Sequence, residues 1–428
     1  MQMSKQNTGS SSEVREEVVA TYTIETPGSL KWAAEALAGE QSTGTFIQIP
    51  GETAEIHQKH AGRVVQVEPL DSSHSPALLG SVPASGSFNR GRIKVAFPVQ
   101  NFGYALPNLM ATVAGNLFEL NQFSGIRLED VDFPTSYIDR QAGTRFGVPG
   151  TRKLMSVAER PMVGTIIKPS VGLTPEATGE LAFSLAEAGI DFIKDDELMA
   201  NPPHSPFAKR FESVIGQLHR VAESSGRMVM YAANVTDNVD QMRRNIDLVE
   251  KSGGTCVMVS ANHIGLSGLD VVRSHTSLPI HAHRNGWGAL TRDPMLGYSY
   301  LFWQKIWRLA GADHLHVNGL HNKFWEPNES VIRNARAILS PLGSAPVAVP
   351  VFASAQTALQ APETYAALGS ADILYVCGGG IMAHPAGPVA GLRSINEAWE
   401  AAIAGIPLAE YAKSRPALQG ALEMFGRK

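Results

Sequence analysis

The sequence predicts a (β/α)8 TIM barrel over residues 141–428, preceded by a smaller α+β domain. Three observations predict it. Past Pro161, eight short apolar runs alternate with helical stretches over about 250 residues, the spacing of parallel strands joined by crossover helices. The runs are too short for helices and rich in β-branched and aromatic residues. Nearly every run ends on a polar residue or on glycines, where barrels of this kind carry their chemistry.

The elements follow in order. MQMSKQNTGSSSEVREE (1–17) is polar, lacks the apolar centre of a secretion signal and predicts a disordered tail. VVATYTIET (18–26) alternates as a strand, and LKWAAEALAGE (30–40) has the apolar spacing of an amphipathic helix. TFIQI (45–49), GRVVQVEPL (62–70) and IKVAFPVQNF (93–102) read as strands, and LPNLMATVAGNLFEL (106–120) as a helical run. Together they predict an α+β domain over 18–140, ferredoxin-like in plan.

The barrel runs are MVGTIIK (162–168), DFIK (191–194), MVMYAANV (228–235), CVMVS (256–260), PIHAHR (279–284), DHLHVN (313–318), VAVPVFAS (347–354) and DILYVCGG (372–379). Helical stretches such as TPEATGELAFSLAEAG and NVDQMRRNIDLVEKSG separate them. The connections after CVMVS and VAVPVFAS carry weaker helix signals. A doubly wound sheet satisfies the same alternation, because alternation alone does not show closure.

Composition narrows the classes. Hydrophobic content of 44%, charged content of 18% and a formal charge of −4 describe an ordinary globular chain without general attraction to nucleic acid or anionic membranes. No apolar run reaches the roughly 18 residues of a membrane span. The two cysteines, Cys256 and Cys377, lie inside apolar strand-like runs. A disulfide framework is not expected, and a reducing cytoplasm is.

At the strand ends stand Lys168, then Lys194, Asp196 and Glu197, then Asn234, with His263 just past the fourth run. His283 and Arg284, His316, Ser354 and Gly378-Gly379-Gly380 follow. Any one of these is an ordinary capped polar group; nearly all eight ends together predict an active site. Asp196 and Glu197 are hard oxygen donors suited to Mg2+. The His-x-His pairs at 281/283 and 314/316 have strand spacing, which leaves a zinc site as a lesser alternative. The glycine run, ending a strand before a helix, suits a phosphate, and Arg284 with His316 suits another anion. A protonated Lys194 would repel a cation. A neutral Lys194 amine that takes up CO2 becomes a carbamate, a third oxygen ligand. The alternative is a structural cluster of ion pairs.

The motifs GEQSTGTF (39–46), GNLF (115–118), GTIIKPSVGL (164–173), DFIKDDE (191–197), HAHR (281–284), GADHLHVNGLHNKF (311–324) and CGGGIMAHPAG (377–387) occur in this order. With them the chain resembles the large subunit of ribulose-bisphosphate carboxylase/oxygenase (RuBisCO) from about Val18 onward. It more closely resembles the RuBisCO-like proteins that do not fix carbon. The resemblance implies that Lys194 is the carbamylated lysine and that Asp196 and Glu197 complete the Mg2+ ligands. It implies Lys168 as the lysine that handles the substrate proton, His283 as a catalytic histidine and Lys323 as the lid lysine. Arg284, His316 and Ser354 match one phosphate site; Gly378, Gly379 and Thr45 match the other. Glu40 and Asn116 match residues that enter the neighbouring subunit's site, implying a homodimer, or a multiple of dimers, with shared sites.

Departures from the carbon-fixing pattern are equally specific. Ser170 stands where those enzymes carry a second lysine, Trp287 where they carry a histidine, and Phe46 where they carry a tryptophan. ASAQ (353–356) replaces their Ser-Gly-Gly, which predicts that Ala355 and Gln356 intrude on a phosphate pocket. Bisphosphate carboxylation is therefore disfavoured.

The resemblance implies an enolate or enediolate formed with Mg2+ from a phosphorylated sugar derivative. The favoured reaction is decarboxylation of 3-oxo-isoapionate 4-phosphate to CO2 and a ketose phosphate, because Lys323 retains a cation suited to a 3-oxo acid's carboxylate. The alternatives are enolisation of a diketo-methylthiopentyl phosphate, isomerisation of methylthioribulose phosphate, ribulose-bisphosphate carboxylation and a catalytically silent scaffold.

Overall fold

The structure, a computed structural model, describes residues 15–44, 49–81 and 86–426. The tail expected over 1–17 lies mostly outside these residues, and Glu17 already belongs to the first strand. Residues 45–48 of the TFIQI run are also outside them.

The chain forms two compact units, residues 1–137 with 295–297, and residues 138–294 with 298–428. In the first, strands β1 (Glu17–Thr26), β2 (Arg63–Pro69), β3 (Asn89–Pro98) and β4 (Gly125–Asp132) form an antiparallel sheet. A short strand, Leu296–Tyr298, joins its edge in the order Leu296–Tyr298, β4, β1, β3, β2. Alternation on β1 buries Val18, Ala20, Tyr22 and Ile24 completely. Helix Leu30–Glu40 is capped by Ser29, whose side chain accepts from the Trp32 N–H, and it buries Ala33, Ala34, Leu37 and Ala38.

Two sequence expectations change here. The run LPNLMATVAGNLFEL breaks into a helix over Leu106–Val113 and a 3-10 turn over Asn116–Glu119. At the break, a Cβ on Gly115 would meet the Ala111 carbonyl oxygen at 2.3 Å, so the backbones touch. Strand β4 itself was hidden because charged residues interrupt its apolar alternation (GIRLEDVD).

In the second unit the predicted runs form eight parallel strands in a closed barrel. They are β5 (Met162–Ile166), β6 (Phe192–Lys194), β7 (Met230–Asn234), β8 (Cys256–Ser260), β9 (Ile280–His283), β11 (His314–His316), β12 (Val349–Phe352) and β13 (Leu374–Val376), with β10 the short strand Leu296–Tyr298. Register Leu374↔Met162 between β13 and β5 closes the ring, which excludes the doubly wound sheet. Alternate residues fill the interior, among them Met162, Phe192, Met230, Ala232, Met258, Val349, Val351, Leu374 and Val376. Both weak helix candidates form: Ala261–His275, broken by a left-handed Gly265 (φ 68°), and Ala361–Leu368. Both cysteines are buried thiols. No described helix is long and apolar enough to cross a membrane.

Candidate active site

Extending the interior period of two past each strand end generates the site. Met162, Gly164 and Ile166 lead to Lys168; Phe192 and Lys194 lead to Asp196; His281 leads to His283; and His314 and His316 lead to Asn318. Leu374 and Val376 lead in the same way to Gly378. These ends surround a cavity of about 900 Å³ lined by Lys168, Lys194, Asp196, Glu197, His283, Arg284, His316, Lys323, Ser354, Gly378 and Gly379. Every barrel residue to which the resemblance gives a role lies on this one cavity, whereas the strand-end candidates Asn234, His263 and Gly380 do not line it. Of the three residues given roles outside the barrel, Glu40 ends a helix and Asn116 opens a 3-10 turn in the first unit, and Thr45 is outside the described residues.

The DFIKDDE stretch divides by side. Asp195 faces the barrel wall, fully buried, where its carboxylate accepts from Arg210 Nη2 (3.2 Å), Tyr231 Oη (2.7 Å) and the Asn234 backbone N–H (3.0 Å). Lys194 and Asp196 face the cavity. Lys168 Nζ donates to Asp196 Oδ2 at 2.6 Å and to Ser170 Oγ at 2.6 Å. Lys194 is 1% exposed, donates to the Asp195 carbonyl at 2.6 Å and lies 3.9 Å from Glu197 Oε2. His283 Nε2 is 3.6 Å from that same carboxylate.

Burial sets the protonation states. It lowers the Lys194 ammonium below the ordinary lysine value, against the attraction of Glu197, Asp196 and Asp195. Burial opposes ionisation of Asp196, but hydrogen bonds from Lys168 and the Leu198 N–H, with the two lysine charges, hold its carboxyl below the usual range. Burial, helped by the Lys194 charge, pushes the His283 imidazole down to about 4, so it is neutral at pH 7. His316 is neutral for the same reason, and its Nε2 meets His281 Nε2 at 2.7 Å.

The donor set fits a hard cation in one form only. Among the described residues no group of three His, Cys, Asp or Glu side chains converges for a metal. Asp196 and Glu197 offer two carboxylates, and the buried amine of Lys194 stands beside Glu197 where a carbamate would supply a third oxygen donor.

The departures resolve individually. Trp287 is buried on the cavity wall against Tyr300 and Trp303. Ser170 takes a hydrogen bond from Lys168, while Phe46 lies outside the described residues. Ala355 lines the cavity with a left-handed backbone (φ 64°), a conformation that costs a non-glycine residue about 1 kcal/mol. The expectation for Gln356 is wrong. Its side chain turns into the protein, 1% exposed, donating to the Leu320 carbonyl at 3.0 Å and accepting from Tyr375 Oη at 3.3 Å. Gly319 leaves the room for it.

Asn318, Glu326 and Arg292 also line the cavity and were missed. Asn318 was findable by counting two past His316. Glu326 and Arg292 lie in loops, where no periodicity points inward.

Residues 147–425 match the catalytic domain of the ribulose bisphosphate carboxylase large chain, and residues 9–137 match its N-terminal domain. A 3-oxo-isoapionate-4-phosphate transcarboxylase/hydrolase from Xanthobacter autotrophicus is 53% identical over 409 residues, covering 95% of this chain and 99% of that protein. A 3-oxo-isoapionate-4-phosphate decarboxylase from Rhizobium etli is 41% identical over 411 residues, covering 95% and 98%. The crystal structure of a rubisco-like protein from Burkholderia fungorum superposes with a TM-score of 0.89 at 43% identity, covering 95% and 99%.

Proposed function

The chain belongs to the ribulose bisphosphate carboxylase large-chain family, and from that premise we propose that it is an Mg2+-dependent enzyme that removes the carboxylate of 3-oxo-isoapionate 4-phosphate. The observation that carries this reading is Lys323. It lines the cavity and, among the described residues, has no carboxylate partner, only the Phe324 ring at 5.3 Å. It is a cation free to take a substrate carboxylate. The relatives named for this substrate support the choice.

Asp196, Glu197 and a carbamylated Lys194 would hold the Mg2+. When bound, the metal supplies Lewis-acid stabilisation of negative charge developing on substrate oxygen. The chain's own groups do the rest. Lys323 orients the carboxylate. The bond from that carboxylate to its neighbouring carbon breaks, and the electron pair passes to the adjacent carbonyl, giving an enediolate and CO2. Neutral His283 hydrogen-bonds an oxygen of the enediolate without adding charge. Lys168, once released from Asp196, gives a proton to carbon and yields the ketose phosphate.

A second reading shares the first step. The enediolate recaptures CO2 on its other carbon, and water then cleaves the new 3-oxo acid into two carboxylic acids. The 53% identical transcarboxylase/hydrolase favours it. Product analysis decides between them: one equivalent of free CO2 and a ketose phosphate, or two acids with no net CO2. The assay includes the diketo-methylthiopentyl phosphate and ribulose bisphosphate as competing substrates. Turnover of the methylthio compound with none of the oxo acid overturns both readings.

A further inference from the structure

The Glu326 carboxylate is 7% exposed and accepts from four side chains. They are Arg284 Nη2 at 2.6 Å, Asn318 Nδ2 at 2.8 Å, Ser330 Oγ at 2.9 Å and Asn334 Nδ2 at 2.8 Å. Its two oxygens are thereby filled. Asn318 Oδ1 in turn accepts from Ser354 Oγ at 3.0 Å. The chain Arg284–Glu326–Asn318–Ser354 ties together the ends of β9, β11 and β12 at one side of the cavity. Arg284 Nη1 is buried and has no hydrogen-bond partner among the described residues, and the guanidinium packs 5.1 Å over the Tyr300 ring.

We propose that Glu326 sets the charge at this side of the cavity and makes the enzyme select substrates with one phosphate over bisphosphates. The inference rests on the reading of the substrate as a monophosphate and explains how the pocket selects it. Arg284 alone would present a two-armed cationic fork to a phosphate dianion. Paired with Glu326 it is electrically compensated, with one arm committed. A second phosphate here would sit beside a buried carboxylate, where low dielectric magnifies repulsion. This is discrimination by an unfavourable contact with the wrong ligand. Lys323 and Arg292 line the same cavity and, among the described residues, have no carboxylate partners, so charge for the true substrate comes from elsewhere.

The test is calorimetric binding of ribulose 5-phosphate and ribulose 1,5-bisphosphate, with Mg2+ and bicarbonate, to the full chain and its variants. The wild type is expected to bind the monophosphate about tenfold more tightly, since the second phosphate meets the Glu326 carboxylate. Glu326→Gln frees the Arg284 charge, and the bisphosphate should gain about tenfold over the monophosphate. Adding Arg284→Gln to the same chain should abolish the gain. Glu326→Asp keeps the charge and should keep the wild-type ratio. A wild type that binds the bisphosphate more tightly than the monophosphate overturns the proposal, and so does Glu326→Gln shifting both ligands equally. Should Glu326→Gln lack a cooperative melting transition, the wild-type and Glu326→Asp ratios decide. Turnover of the oxo acid is measured separately. Its absence beside the expected binding ratios refutes the proposed reaction and leaves the charge assignment standing.

Discussion

Lys168 and Asp196 meet tip to tip at 2.6 Å across the ends of neighbouring barrel strands. Each is assigned a separate task, proton donor and metal ligand, so a bound cation must compete with the lysine for the carboxylate. Lys168→Met should therefore bind Mg2+ more tightly while kcat falls about a hundredfold or more, with little change in KM. Activity itself should vanish in chelator and rise after preincubation with bicarbonate. Full activity in chelator-treated protein would refute the metal assignment.

The division of the acidic stretch separates stability from activity. Lys194→Ala should lose most activity and retain the fold. Asp195→Asn leaves the fully buried Arg210 guanidinium without its counter-ion. It should cost about 3–5 kcal/mol in urea unfolding. Equal destabilisation by the two changes would contradict this division.

His314 makes folding sensitive to acid. Its Nε2 meets Thr151 Oγ1 at 2.9 Å, its Nδ1 has no hydrogen-bond partner among the described residues, and burial pushes its pKa down to about 3. In the unfolded chain a histidine takes a proton near pH 6.5. The folded chain refuses it until about pH 3, so the stability contribution is complete above 6.5 and is lost as pH falls. The loss is about 1.4 kcal/mol per pH unit for this one group. His281, His283 and His316, shifted the same way, steepen it. Urea midpoints at pH 7, 6 and 5 should fall progressively, and His314→Gln should flatten the slope by one proton.

Gly319 and Gln356 form a packing pair. A Cβ on Gly319 would stand 2.0 Å from Gln356 Cδ. Gly319→Ala should therefore destabilise by about 1–3 kcal/mol. Gln356→Gly in the same chain should relieve the clash, and the two changes should be strongly non-additive in a double-mutant cycle. Additivity would mean that the glycine matters only for its backbone.

A direct assay tests whether active sites are shared between subunits. Inactive Asn116→Ala and inactive Lys194→Ala chains, unfolded and refolded together, should recover part of the activity, because each mixed dimer keeps one site free of both changes. No recovery in demonstrated heterodimers would place each site within one chain.

The sequence by itself determined the eight barrel strands and the alternation of side chains along each of them. It placed Lys168, Lys194, Asp196, His283 and His316 at the strand ends, and the interior side they share follows from the period of two, because a strand's side-chain alternation is local. It also set the apolar runs that pair into the barrel. What stands opposite each residue was decided only by tertiary structure. Closure came from pairing Leu374 with Met162, far apart in the chain. Asp195 was separated from Asp196 by the arrival of Arg210 from the following helix. Gln356 turned inward because Leu320 and Tyr375 offered it partners. Arg284 was matched by Glu326, 42 residues away. The physical reason is common to all four. Backbone geometry fixes the direction of a side chain locally, whereas its partner, and hence its effective charge, depends on segments that only folding brings within hydrogen-bond reach.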